Sequence, residues 1–244
     1  MSLPHPVELP IKGTDEVYFV DPSKIVALGL NYAEHIAESV SVKVKGMDAD
    51  TPSEPVLFPK TTNCLIGNGD SICLPAIVDS YDFDAPRTDY EAELALIIAT
   101  ECKNIAPEEA WDVIFGYTAM NDVSQRNIQN GDRSGWFRGK SFDTFGPIGP
   151  VLVKPADIGD PQKLKVQCRL NGKTVQDGNT AQMIFTIPDL VSYISRNVTL
   201  YPGDVITTGT PSGVGPITDG DVVEVEIEGI GILRNPVSAG CADG

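Results

Sequence analysis

Between Asp89 and Ile98 the chain reads Asp-Tyr-Glu-Ala-Glu-Leu-Ala-Leu-Ile-Ile. Side chains alternate faces along a strand, so Glu91 and Glu93 share a face. Beyond them the residues are apolar at both parities: Leu94, Leu96 and Ile98 on one face, Ala95 and Ile97 on the other. Such a run predicts a strand covered on both sides, which demands further layers of structure around it. Two carboxylates at one end of a buried strand repel and are costly to desolvate. A hard divalent cation with oxygen ligands would neutralise them. A solvated strand end accounts for the same Glu-x-Glu in isolation. The later run Glu224-Val225-Glu226-Ile227-Glu228 differs, because Val223, Val225 and Ile227 occupy one parity and the glutamates the other. That is the alternation of a half-buried strand.

Further strands are predicted at Val17–Val20, Lys24–Gly29, Val56–Pro59, Ser71–Leu74, Gly116–Asn121, Asp204–Thr208, Val222–Glu228 and Ile230–Leu233. Asn171-Gly172 between Lys163–Leu170 and Lys173–Gln176 predicts a hairpin. Short helices are predicted at Ala33–Val40, Pro107–Phe115, Val123–Asn130 and Pro188–Asn197. Ser41–Pro55 reads as a mobile loop and the acidic stretch Asp79–Asp89 as a surface loop. Many short strands with few short helices place the chain in the α+β class, mainly β.

A net charge of −16 over 244 residues argues against nucleic acid and anionic membrane as partners. It also means that an anionic ligand needs a local positive centre. There is no apolar run of membrane-spanning length, and Met1–Pro10 lacks the features of a signal peptide. The five cysteines, Cys64, Cys73, Cys102, Cys168 and Cys241, are odd in number, widely spaced and free of Cys-x-x-Cys. They predict neither disulfides nor a zinc-thiolate site, but small core residues in a reducing cytoplasm.

Of two histidines, His5 lies in the N-terminal leader and His35 lies in Asn31-Tyr32-Ala33-Glu34-His35-Ile36-Ala37-Glu38. On a helix His35 and Glu38 share a face, the arrangement of a carboxylate-held general base. A surface helix with paired polar residues fits the same octapeptide. Asp122, at a strand end, is a third carboxylate ligand or a helix N-cap. Lys140, in Arg138-Gly139-Lys140-Ser141-Phe142-Asp143, is a positive centre for an anionic intermediate or a solvated lysine. Gly209-Thr210-Pro211-Ser212-Gly213-Val214-Gly215 lacks the Lys-Ser/Thr of a phosphate-binding loop. It reads as a tight loop that brings backbone donors and the Thr210 hydroxyl to a ligand, or as a plain turn.

Five segments in order resemble the fumarylacetoacetate hydrolase family. They are Gly29-x-Asn31-Tyr32-x-x-His35-x-x-Glu38; Tyr90-Glu91-x-Glu93-Leu94; Asn121-Asp122-Val123-Ser124-x-Arg126-x-x-Gln129; Gly139-Lys140-Ser141-Phe142-Asp143; and Thr208-Gly209-Thr210-Pro211-x-Gly213-Val214-Gly215. The resemblance runs from about Lys24 to Glu228. It implies a mixed β-roll or β-sandwich with a few short helices, in which residues 1–20 form a leader with a short strand and 21–244 a single catalytic domain. It implies a Mg²⁺ site (Mn²⁺ or Ca²⁺ as alternatives) at Glu91, Glu93 and Asp122, and a homodimer. His35 and Glu38 become the catalytic pair on a lid, Lys140 a catalytic cation, and Thr210, Arg126 and Gln129 substrate contacts. The expected reaction is C–C hydrolysis of a small anionic 2,4-dioxo acid, of acylpyruvate or fumarylpyruvate type, through an enolate stabilised by the cation. The alternatives are isomerisation of 2-hydroxyhepta-2,4-diene-1,7-dioate or decarboxylation of an oxaloacetate-type acid at the same site. Leu30 stands where some members that act on small oxo-acids carry Arg, which leans away from the decarboxylase. A metal-stabilised β protein that only binds an organic acid is the non-enzymatic alternative.

Overall fold

The computed structural model describes residues 6–38, 51–131 and 136–241. His5, the end of the predicted helix at 39–40 and loop residues 41–50 lie outside them. Among the described residues the strands form four sheets. The largest has seven strands, in the order Val56–Lys60, Ile25–Gly29, Val205–Thr207, Ala92–Ile98, Ile114–Asn121, Gly146–Val153, Leu65–Ile66. The strand Ala92–Ile98 sits in its middle, antiparallel to both neighbours, and every residue of it is buried. Leu94, Leu96, Ile97 and Ile98 together contribute on the order of 6–12 kcal/mol of apolar burial, before the entropy of ordering is set against it.

A five-stranded sheet runs Lys173–Asn179, Lys165–Leu170, Val222–Ile227, Gly231–Ser238, Ile72–Cys73. The two sheets pack face to face, with Ala92–Ile98 against Lys165–Leu170 and Val222–Ile227, and Gly146–Val153 against Gly231–Ser238. This explains the alternation at Val222–Ile227. Val223, Val225 and Ile227 are buried between the sheets, while Glu224 and Glu226 pair outside with Arg169. Leu170 and Lys173 pair around Asn171 and Gly172, both at positive φ, as the predicted hairpin requires. The helix Ile187–Asn197 is capped reciprocally by Thr186 and Asp189 and buries Ile187, Leu190, Val191 and Ile194. The mainly-β α+β architecture expected from the residue pattern is therefore present.

Several elements depart from expectation. The strand expected to run unbroken from Asp89 divides at Glu91. Thr88–Tyr90 pairs with Ser124–Gln125 and Gly215–Ile217 in a separate small sheet, and Ala92–Ile98 continues in the large one. The helix expected from Pro107 to Phe115 is a 3₁₀ helix over Pro107–Val113, because Ile114 already pairs with Ile98 as strand. Helix Arg126–Gly131 starts after the short strand Ser124–Gln125. Val7–Pro10 and Val17–Val20 form a hairpin whose Val7, Leu9 and Val20 join the main core.

The cysteine expectation needs correction. Cys73 and Cys241 form a disulfide across 168 residues, while Cys64, Cys102 and Cys168 are free and buried. The parallel pairing of Ile72–Cys73 with Gly231–Ser238 carries the C-terminal segment to Cys73. The pair removes the case for a reducing compartment from cysteine usage. Among the described residues no helix is long and apolar enough to cross a membrane.

Candidate active site

Antiparallel pairing assembles the acidic site. Ala92 pairs with Asn121 and Glu93 with Met120, so Glu91 falls opposite Asp122. Directly opposed residues share a face, and Glu93, two residues on, lies on it too. The junction is fixed by one backbone and one side-chain hydrogen bond: Asp122 N donates to Glu91 O (2.9 Å), and Glu91 N donates to Asn121 Oδ1 (2.9 Å). Both acids sit where a strand leaves the large sheet for the small one. One carboxylate oxygen from each of Glu91, Glu93 and Asp122 lies within 4.8 Å of the other two, and all three residues are buried.

Those oxygens fit a divalent cation. Ligand distances of about 2.0–2.6 Å around Mg²⁺, Mn²⁺ or Ca²⁺ allow opposite oxygens about 4–5 Å apart. Glu93 Oε2 accepts from Gly209 N (2.8 Å), whereas Oε1 has no aligned donor among the described residues. Burial, together with the nearby Asp122 and Glu91, pushes Glu93 well above the ordinary carboxylate range. Its charged form thus requires an additional positive group.

Two buried lysines and the half-buried Arg126 surround the acids. Lys140 Nζ donates to Glu91 Oε2 (2.7 Å) and Asp122 Oδ2 (2.6 Å). Lys60 Nζ forms an ion pair with Asp122 Oδ1 at 2.7 Å, without hydrogen-bond alignment, and donates to the Lys140 carbonyl. Arg126 donates to Glu91 Oε1, to Asp89 Oδ2 (2.8 Å) and to Gln129 Oε1 (3.0 Å). Burial alone would raise Glu91, but Lys140 and Arg126 hold it well below the usual range. Burial would lower Lys140, but Asp122 and Glu91 raise it, so its ammonium stays charged.

The helix Ala33–Glu38 stands beside this cluster. His35 Nδ1 lies 3.2 Å from Glu38 Oε1, and the histidine is buried. Glu38 Oε1 also accepts from Gly213 N at 2.8 Å. Partial burial would raise Glu38, but the His35 hydrogen bond and the Gly213 amide outweigh it and lower the carboxyl. Gly213 is required here: its φ is +97°, and a Cβ would stand 2.1 Å from Val175 O. Asn31 anchors the helix entry, donating to Thr208 O (2.8 Å) and accepting from Phe185 N (2.8 Å). The amides of Gly209 and Gly213 thus meet carboxylates of the chain itself. Thr210 Oγ1 donates to Ala92 O (2.9 Å) and accepts from Gln176 Nε2 (2.8 Å).

Two cavities meet at His35 and Arg126. The inner one, about 20 Å³ and so large enough for roughly one water, is lined by Leu30, Glu91, Gln129, Lys140 and Thr210 among others. The outer one, about 450 Å³, is walled by Glu38, Phe83, Arg87, Asp89 and Asn130 among others. All nine candidate residues therefore gather in one region: Glu91, Glu93 and Asp122 as the acid cluster, and His35, Glu38, Lys140, Thr210, Arg126 and Gln129 around it. Sequence reasoning missed Lys60, Arg87, Asp89 and Gln176. Asp89 belongs to the acidic stretch that carried no assigned role; it is buried between Arg87 and Arg126. The cysteines offer no nucleophile: burial pushes the Cys64 thiol up to about 11.

Known proteins resemble this chain over most of its length. Residues 24–238 match the fumarylacetoacetate (FAA) hydrolase C-terminal family. The mitochondrial oxaloacetate tautomerase Fahd2a of Rattus norvegicus is 39% identical over 94% of this chain and 72% of its own length. A crystal structure of 2-hydroxyhepta-2,4-diene-1,7-dioate isomerase from Mycobacterium marinum is 38% identical with a TM-score of 0.76, covering 93% of this chain and 81% of that one. Fumarylpyruvate hydrolase from Pseudomonas aeruginosa, solved with Mn²⁺ and pyruvate, has a TM-score of 0.82 at 28% identity and covers 98% of both chains. The chain belongs to the fumarylacetoacetate hydrolase family, whose enzymes act on small oxo-acids.

Proposed function

We propose that this enzyme hydrolyses the C3–C4 bond of acylpyruvates with the help of a divalent metal, Mg²⁺ in the first instance and Mn²⁺ or Ca²⁺ as alternatives. The observation that carries this reading is the position of the His35–Glu38 pair. It stands between the acid cluster and a cavity large enough for an acyl group. A cation held by Glu91, Glu93 and Asp122 would supply Lewis-acid polarisation of the 2-oxo group.

The chain's own residues do the rest. Glu38 fixes the His35 ring, and His35 takes a proton from water. The water oxygen adds to the C4 carbonyl, and Lys140 opposes the negative charge that gathers there. The C3–C4 bond then breaks. Its electron pair passes to the pyruvate fragment as an enolate, a proton returns to C3, and a carboxylic acid and pyruvate leave. Arg126 and Gln129 hold the substrate carboxylate, and Thr210 closes the floor of the inner cavity.

The likeness to the rat oxaloacetate tautomerase favours a second reading. The same groups would move a proton on and off C3 with no C–C cleavage. Enol absorbance and product mass distinguish the two for acetylpyruvate, fumarylpyruvate and oxaloacetate, with Mg²⁺ and with chelator. His35→Ala is expected to lower turnover at least ~10²-fold while metal still raises the melting temperature. Unchanged turnover in that variant would remove the proposed base.

A further inference from the structure

We propose that Arg87 makes the outer cavity a subsite for a second carboxylate, so that the preferred ligands are oxo-diacids whose far end is anionic. This rests on the reading above for where the near end of the ligand sits. Arg87 lines the outer cavity and its side chain is 40% exposed. Its Nε donates to Asp89 Oδ1 at 2.7 Å, and among the described residues its two terminal nitrogens form no other bond. A guanidinium held at Nε keeps its outer fork oriented, the geometry that recognises a carboxylate in two-point fashion.

The neighbouring charges support this assignment. The other cation on the cavity wall, Arg126, bonds to Glu91, Asp89 and Gln129 and is assigned above to the near carboxylate, so it does not serve the far end. Of the cavity's acids, Asp89 is held by both arginines, and Glu38 is held by His35 and the Gly213 amide. Phe83, Ala85 and Val214 supply apolar walls for the methylene segment between the two ends. In a chain of net charge −16, an available guanidinium in the outer cavity is the feature that draws a dianion inward.

The position is also built rather than incidental. Arg87 N donates to Asn127 Oδ1 (2.8 Å), and Arg87 O accepts from Arg126 N (2.8 Å). Residues 126 and 127 therefore fix the backbone that bears the guanidinium.

The test is calorimetric binding to the Mg²⁺-loaded full chain, which needs no turnover. Paired ligands are 2-oxoadipate against 2-oxohexanoate, and 2-oxopimelate against 2-oxoheptanoate. In the wild type at least one diacid should bind roughly 10- to 100-fold tighter than its neutral-tailed mate. Arg87→Gln should bring that ratio close to one, and Arg87→Lys should restore part of it. A structural role would weaken both members of a pair together and leave the ratio unmoved. Equal binding of the pairs by the wild type overturns the subsite, and so does a ratio unchanged in Arg87→Gln. If the ratio behaves as expected but no acylpyruvate is cleaved, the subsite stands and the proposed hydrolysis fails.

Discussion

Lys60→Met removes the cation that lies against Asp122 while keeping most of the side-chain volume. Both partners have side chains with 0% exposure, and Nζ stands 2.7 Å from Oδ1. Removing one partner of a buried pair leaves a charge that water cannot reach, which costs about 3–5 kcal/mol. The lower figure applies, for two reasons. Lys140 still donates to Asp122 Oδ2, and the Lys60 pair lacks hydrogen-bond alignment. In a domain of this size each kcal/mol moves the melting temperature by about 2–4 °C, so a fall of about 6–12 °C is expected. Thermal unfolding followed by circular dichroism measures it. A double-mutant cycle with Asp122→Asn isolates the pair, because Lys60→Met should cost clearly less once the carboxylate is gone. A fall of less than about 3 °C, or strict additivity in the cycle, would refute the reasoning.

Two further outcomes follow from the geometry. Glu38 is lowered from its ordinary value of 4.5, so the stability it lends through His35 and the Gly213 amide is present above that pH and lost as pH falls through the lowered value. Hydrogen exchange at the Gly213 amide, corrected for intrinsic rate, should therefore lose protection in that acid window; Glu38→Gln should abolish this pH dependence, and an unaltered profile would contradict it. Alkylation of the denatured chain without reductant should label three thiols, Cys64, Cys102 and Cys168, whereas five labelled thiols would rule out the Cys73–Cys241 bridge.

What was legible in the residues was whatever depends on local parity. Glu91 and Glu93 could be read as neighbours because the strand period is two, and the burial of Leu94 to Ile98 followed from apolar residues at both parities. Asp122 was ambiguous because its place opposite Glu91 depends on register with a strand some thirty residues on. The break at Glu91 was hidden for a related reason: Tyr90 and Ala92 look alike in pattern but pair in different sheets. Lys60 and Asp89 carried no mark separating them from solvated charges, since their partners lie far along the chain. The disulfide was misread because its closure depends on the parallel docking of Ile72–Cys73 beside Gly231–Ser238, which spacing alone does not reveal.

The glycine-rich loop has a consequence for how this enzyme can vary. Its amide at Gly209 grips Glu93 in the acid cluster, and its amide at Gly213 grips Glu38 on the histidine-bearing helix. Four residues of backbone thus set the spacing between the proposed general base and the proposed cation site. Lengthening or shortening that span by one residue would shift one relative to the other, whereas Phe83, Ala85 and Arg87 on the rim of the outer cavity bond to neither Glu93 nor Glu38. Diversification of ligand choice therefore has a natural outlet on that rim, and the gauge set by the loop can stay unchanged while it happens.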